Sequence, residues 1–147
     1  MRIWDHIAAS CALVFACHGV LAADPAGVVK TSKGNVSILR SGHKLDAPVG
    51  TRIFSSDRVV TGADSSVGIT LRDNTVLSAG PNSTVDLDKF AFNSTTHIGE
   101  IYATVKRSTL SVISGKIVKA SPEAVNFTAP GMTLGVRGTN FVIDAGL

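Results

Sequence analysis

An arginine set among glycines, Gly135-Val136-Arg137-Gly138-Thr139, is the charge in this chain with the most chemistry to offer. A guanidinium can hold a carboxylate of a ligand or partner bidentately. It can equally bond backbone carbonyls at a sheet end, where glycines let two backbones approach. Gly135 and Gly138 favour the second, structural role, because they make sense as backbone geometry. Asp86 and Asp88 stand two residues apart, on one face of a strand-like segment. Such a pair could give oxygens to a calcium ion, but no Asp-x-Asn/Asp-x-Gly loop accompanies it, so a solvated face is the expectation. Nor does a cleft signal support a glycosidase-type carboxylate pair.

The remaining polar residues form no recognisable constellation. His43 sits in a Gly-rich turn and His97 in a polar loop, each without a second histidine at ligand spacing. The serines stand outside any Gly-x-Ser-x-Gly elbow. Ser114-Gly115-Lys116 lacks the upstream glycine of a phosphate loop. Four Asn-x-Ser/Thr triplets, at Asn35, Asn82, Asn93 and Asn126, read as turn and strand chemistry. The expectation is a protein that is not an enzyme and uses no cofactor and no metal.

Composition narrows the classes further. The chain has 147 residues, enough for one domain, and a net charge of +3. Its basic residues are scattered singly apart from Lys106-Arg107. No stripe neutralises a phosphate backbone, so nucleic acid is not expected as a partner. Met1 to Ala23 has the order of a secretory leader. Arg2 and the amino terminus supply positive charge, Ile7 to Cys17 is apolar except for Ser10, and Val20-Leu21-Ala22-Ala23 offers cleavage after Ala22 or Ala23. An uncleaved anchor and a lipid attached to Cys17 are the alternatives; Phe15 fits a lipobox poorly. Both cysteines, Cys11 and Cys17, and the only tryptophan, Trp4, lie in this leader. A domain of residues 24–147 would have no disulfide and must stand on its apolar core and hydrogen-bonded ladders.

These ladders are written as short apolar segments between turn residues. Residues 24–27 look like a flexible start. Val36 and Ile38 alternate within 35–39, and Val49 to Phe54 and Arg58 to Thr61 follow. Val67, Ile69 and Leu71 alternate with Ser66, Gly68 and Thr70, the pattern of a half-buried strand. Asp73-Asn74 reads as a tight hairpin turn, since Asx residues tolerate positive φ. Val85 and Leu87 share one parity while Phe90 and Phe92 take the other, which calls for a bulge or bend between Asp88 and Phe90. Ile101, Ala103 and Val105 alternate again. Residues 109–120 are apolar on both parities around Gly115, suggesting a strand covered on both faces or bent at the glycine. Val125 and Phe127, then Met132, Leu134 and Val136, then 141–144 complete the series. Strands at this spacing argue a sandwich or barrel, with a compact solenoid as the alternative.

In their order these blocks resemble the FecR domain family. The first block, residues 34–87, carries the Gly34-Asn35-Val36 opening, the Asp57…Val59…Thr61-Gly62 step and the Asp73-Asn74-Thr75 hairpin followed by Pro81-Asn82-Ser83. The second, 109–143, ends in Gly135-Val136-Arg137-Gly138-Thr139, similar to the family's terminal signature, with Asn140 where an acid is common. The resemblance implies an all-β, jelly-roll-like sandwich outside the inner membrane. It also implies a signalling context, although the sigma-factor-binding segment, membrane span and receptor-binding module of full-length FecR regulators find no match here. The expected function is a periplasmic or secreted binding or scaffolding module that meets an envelope protein. The alternative is a carbohydrate- or peptidoglycan-associated protein, against which counts the single tyrosine, Tyr102, and the lack of tryptophan after the leader.

Overall fold

The computed structural model describes residues 24–135 and 140–146. The expected leader, with both cysteines, lies outside the described residues, as do Val136, Arg137, Gly138 and Thr139. Among the described residues, thirteen strands form two sheets that pack face to face as an all-β sandwich without closing into a barrel. The first sheet runs β4 (Arg52–Ile53), β1 (Gly27–Lys33), β6 (Ser66–Leu71), β7 (Val76–Ala79), β10 (Thr109–Ile113), β13 (Asn140–Asp144). The second runs β3 (His43–Asp46), β2 (Val36–Arg40), β5 (Arg58–Thr61), β8 (Thr84–Phe92), β9 (Gly99–Arg107), β11 (Val125–Ala129), β12 (Met132–Gly135). Every pairing is antiparallel except β9 with β11. A parallel pair needs a long crossover, and here β10 and the short helix α1 (Lys116–Ala120) supply it.

The core is what the alternation implies. Val67, Ile69 and Leu71 from one sheet face Val85, Leu87, Ile101, Ala103 and Val105 from the other, all buried. Phe127, fully buried, sits edge-on to Phe141 at 5.5 Å between ring centres, so β11 and β13 share one end of the core. The parity change in β8 has the expected cause. The β8–β9 register shifts between Leu87 and Lys89, and the extra residue, Asp88, turns Phe90 inward.

Three expectations are corrected. Residues 109–120 are not one strand: β10 ends at Ile113, Gly115 packs against the backbone of Asp73 and Thr75, and the chain turns into α1, which buries Ile117 and Val118. A five-residue helix is too short to show a 3.6-residue period. In the 49–54 segment only Arg52–Ile53 is strand, although Gly50 and Thr51 also bond Val29 of β1; Pro48 and the positive φ of Gly50 make a turn that leaves Val49 exposed. His43 opens a strand instead of lying in the turn; the turn before it is made by Ser41 and Gly42, both at positive φ. Gly68 keeps the expected outward face, where the exposed Thr31 side chain of β1 covers it.

Candidate functional site

Of the residues that carry the resemblance in the first block, Asp57, Thr61, Asp73, Thr75 and Ser83 are buried, whereas Asn35, Asn74 and Asn82 are exposed. Asp57, Thr61, Ser65, Asp73, Thr75 and Ser83 are the buried polar side chains among the described residues, and all six lie between 57 and 83. Each fixes a turn. The Asp57 carboxyl accepts two hydrogen bonds from Arg40, at 2.9 and 2.7 Å, and one from the Phe54 amide at 2.8 Å. Arg40 also donates to the Arg52 carbonyl and lies 4.7 Å from the Phe54 ring centre, so one guanidinium joins β2 to β4. The hydrogen bond to Asp57 raises the Arg40 pKa above its usual value, against the lowering effect of burial. Thr61 donates its hydroxyl to the Gly80 carbonyl and accepts the Ser83 amide. Ser65 accepts the Asn35 amide, which places the Gly34-Asn35 opening against the 63–65 turn.

Asp73 ties a hairpin turn to the residues that follow β10. Its side chain accepts the Thr75 amide at 3.0 Å, the Thr75 hydroxyl at 2.7 Å and the Ile117 amide at 3.3 Å. Its carbonyl accepts the Lys116 amide, and Thr75 Oγ1 accepts the Gly115 amide. Asn74 takes φ of 70°, as the hairpin requires. Among the described residues, no buried side-chain nitrogen or oxygen lacks a partner. These groups therefore lock the fold.

The other candidates separate in the same way. Asp86 is held by Arg58 at 2.6 Å and by Lys106 at 3.4 Å, while Asp88, on the bulge, accepts the Thr104 hydroxyl. The two carboxylates thus serve different neighbours. The described residues contain no group of three His, Cys, Asp or Glu side chains that could hold a metal ion. His97 stacks on Phe92 with ring centres 6.2 Å apart, and His43 is exposed on β3. Asn93 accepts the Thr95 and Thr96 amides, and Asn82 takes a positive φ, so both do turn chemistry. Of the signature, only Gly135 is described. It ends β12, at an edge of the second sheet, and Asn140 starts β13, at an edge of the first. No sequence signal marked those edges. A hollow of about 800 Å³ beside the β2–β3 hairpin is lined by Asn35, Ser37, Lys44, Asp46, Pro48 and Val49, a mixed and open surface.

The Asp86 cluster gives a pH prediction. Burial would raise the Asp86 pKa, but the Arg58 hydrogen bond and charge, with Lys106, outweigh it and hold the group below its ordinary value. A carboxylate with a depressed folded-state pKa adds stability at neutral pH that is lost as pH falls through the folded value. The Arg58 side chain is 40% exposed, which limits the contribution to about 0.5–1 kcal/mol. Asp86→Asn is expected to lower stability by about that amount at pH 7. The difference from the parent should shrink as pH falls through and below the ordinary carboxylate range. Urea unfolding at several pH values reads it; a constant gap across that range would refute the assignment.

Among the described residues no helix is long and apolar enough to cross a membrane. A sequence model of the family described as FecR protein matches residues 57–146, more than half of the chain. No curated protein and no solved structure matches.

Proposed function

The chain belongs to the FecR family, and from that premise we propose that it is an exported, non-enzymatic envelope module that acts by contact with another protein in cell-surface or periplasmic signalling. Family membership points to a signalling-related module; the envelope, the export and the contact are the finer reading. One observation carries it above the others: the buried polar side chains of the 57–83 block are spent on turn-locking hydrogen bonds. What remains to recognise a partner is surface, and a sandwich with open edges can accept an added strand. The leader-like order of residues 1–23 supports export.

Two measurements test the reading. The intact mass of the protein recovered from its host is expected to correspond to a start at Ala23 or Asp24. A lipid on Cys17 would instead make it a tethered module, and a retained leader would overturn export. In-cell crosslinking of a C-terminally tagged copy, read by mass spectrometry, is expected to capture a specific envelope receptor or membrane regulator. Recovery of cell-wall fragments alone would replace this reading with a wall-associated role.

A further inference from the structure

Among the described residues the sandwich has four edge strands, β3 and β12 in one sheet, β4 and β13 in the other. Their sequences differ in how well they resist pairing. β4 is two residues long. β3 reads His43-Lys44-Leu45-Asp46, exposed throughout, with a charge at every second position; charge on an edge discourages pairing. β12 is four residues long and ends in Gly135, which weakens a strand. β13 reads Asn140-Phe141-Val142-Ile143-Asp144, five residues with an apolar centre and no proline.

The open side of β13 can be identified from its ladder. The Ala145 amide bonds the Ser108 carbonyl, continuing the β10–β13 pairing. Peptide groups alternate sides along a strand, so those of Phe141 and Ile143 also face β10. The amides and carbonyls of Asn140, Val142 and Asp144 therefore point to the open edge. Val142 is 68% exposed, the highest value among the exposed large hydrophobic residues, while Phe141 and Ile143 point into the sandwich.

We propose that β13 is the contact through which two copies of this chain pair edge to edge, antiparallel about a two-fold axis through Val142. The strand is complementary to itself in that register. Val142 meets Val142 on the outer face, and Phe141 meets Ile143 toward the core. Asn140 of one copy faces Asp144 of the other, so an amide donor meets a carboxylate and no charge meets its like. A slip of two residues either way sets Val142 opposite Asp144 or opposite Asn140. The outward peptide groups exchange reciprocal N–H···O=C bonds at the Val142–Val142 and Asn140–Asp144 pairs, and the two six-stranded sheets become one. Ile113, 49% exposed and paired with Asn140, lies beside the seam. This inference stands apart from the envelope reading, since a self-pairing edge is compatible with any further partner.

The test is sedimentation equilibrium of the protein purified from cells expressing the whole chain, with thermal unfolding of each variant as a control. The parent is expected to dimerise. Asn140→Asp sets aspartates opposite each other at both symmetric positions and is expected to weaken the dimer about tenfold. Adding Asp144→Asn to that variant restores the opposed pair and should restore the dimer. Asn at 144 keeps an oxygen for the Gly146 amide that Asp144 accepts in the parent. Val142→Lys should give a monomer that unfolds like the parent. A parent that stays monomeric at all concentrations overturns the proposal, as does a dimer indifferent to Asn140→Asp. Capture of an envelope protein by such a monomer would leave the functional reading standing while this one fails.

Discussion

Asp73→Ala is expected to destabilise the fold by about 3–4 kcal/mol, enough to lower Tm by about 10–20 °C. The carboxyl is fully buried and serves three donors, the Thr75 amide, the Thr75 hydroxyl and the Ile117 amide. Alanine leaves all three in a space water does not reach. An unsatisfied buried group costs about 1–3 kcal/mol, and the three losses overlap because the hydroxyl can rotate. Asp73→Asn keeps one acceptor oxygen and presents a donor to the other side, so about half the loss is expected. The damage should be local first. Hydrogen exchange at Ile117 and Thr75 should rise by orders of magnitude before the rest of the sandwich opens, because α1 is held to the β6–β7 hairpin by these bonds and by Lys116 to the Asp73 carbonyl. An alanine variant that unfolds within about 1 kcal/mol of the parent would show that α1 is carried by Ile117 and Val118 packing alone.

Gly115 tests the same junction from the other side. A Cβ there would meet the backbone of Asp73, Asn74 and Thr75, atoms that cannot yield as a flexible side chain can. Asp73→Ala and Gly115→Ala should therefore be strongly non-additive, since each already releases the contact that the other disturbs.

This junction also shows where sequence reading stops. Strand β6 was legible because Val67, Ile69 and Leu71 alternate within a single strand, and the bulge at Asp88 because the apolar parity changes on either side of it. Those signals are local. Helix α1 is placed by Asp73, 44 residues from Ile117 in the chain, and five residues carry no period of their own. The Asp73-Asn74 turn was readable as a turn, while the buried reach of the Asp73 carboxyl was not. Edge strand β3 escaped for the opposite reason. With no residue buried, its sequence has no apolar face to alternate. The candidate site followed the same division. Asp57, Thr61 and Asp73 stood out in the sequence as a motif, but a motif of turn locks and a motif of ligands look alike until burial and partners are known.

Asp57 gives the second large effect. Its carboxyl is 1% exposed, whereas the Arg40 side chain that grips it is 35% exposed. Breaking a fully buried pair by removing one partner costs about 3–5 kcal/mol. Solvent at the guanidinium reduces that for this pair, so Arg40→Met is expected to cost about 2 kcal/mol. Asp57→Ala should cost more, about 3 kcal/mol, because it also orphans the Phe54 amide at the 54–57 turn. The double variant is expected to lose well under the sum, with a coupling of about 1–2 kcal/mol in a double-mutant cycle by urea unfolding. High salt should leave the coupling largely intact, since the Asp57 end is shielded from the ions that screen surface pairs. Strict additivity would mean that Arg40 acts through the Arg52 carbonyl and the Phe54 ring instead. The comparison bears on how the family is built. The match begins at Asp57 itself, while Arg40 lies before it, on β2. If the coupling is as large as expected, the matched segment depends on residues upstream of it for a buried acid at its first position, and the unit that folds extends at least to β2.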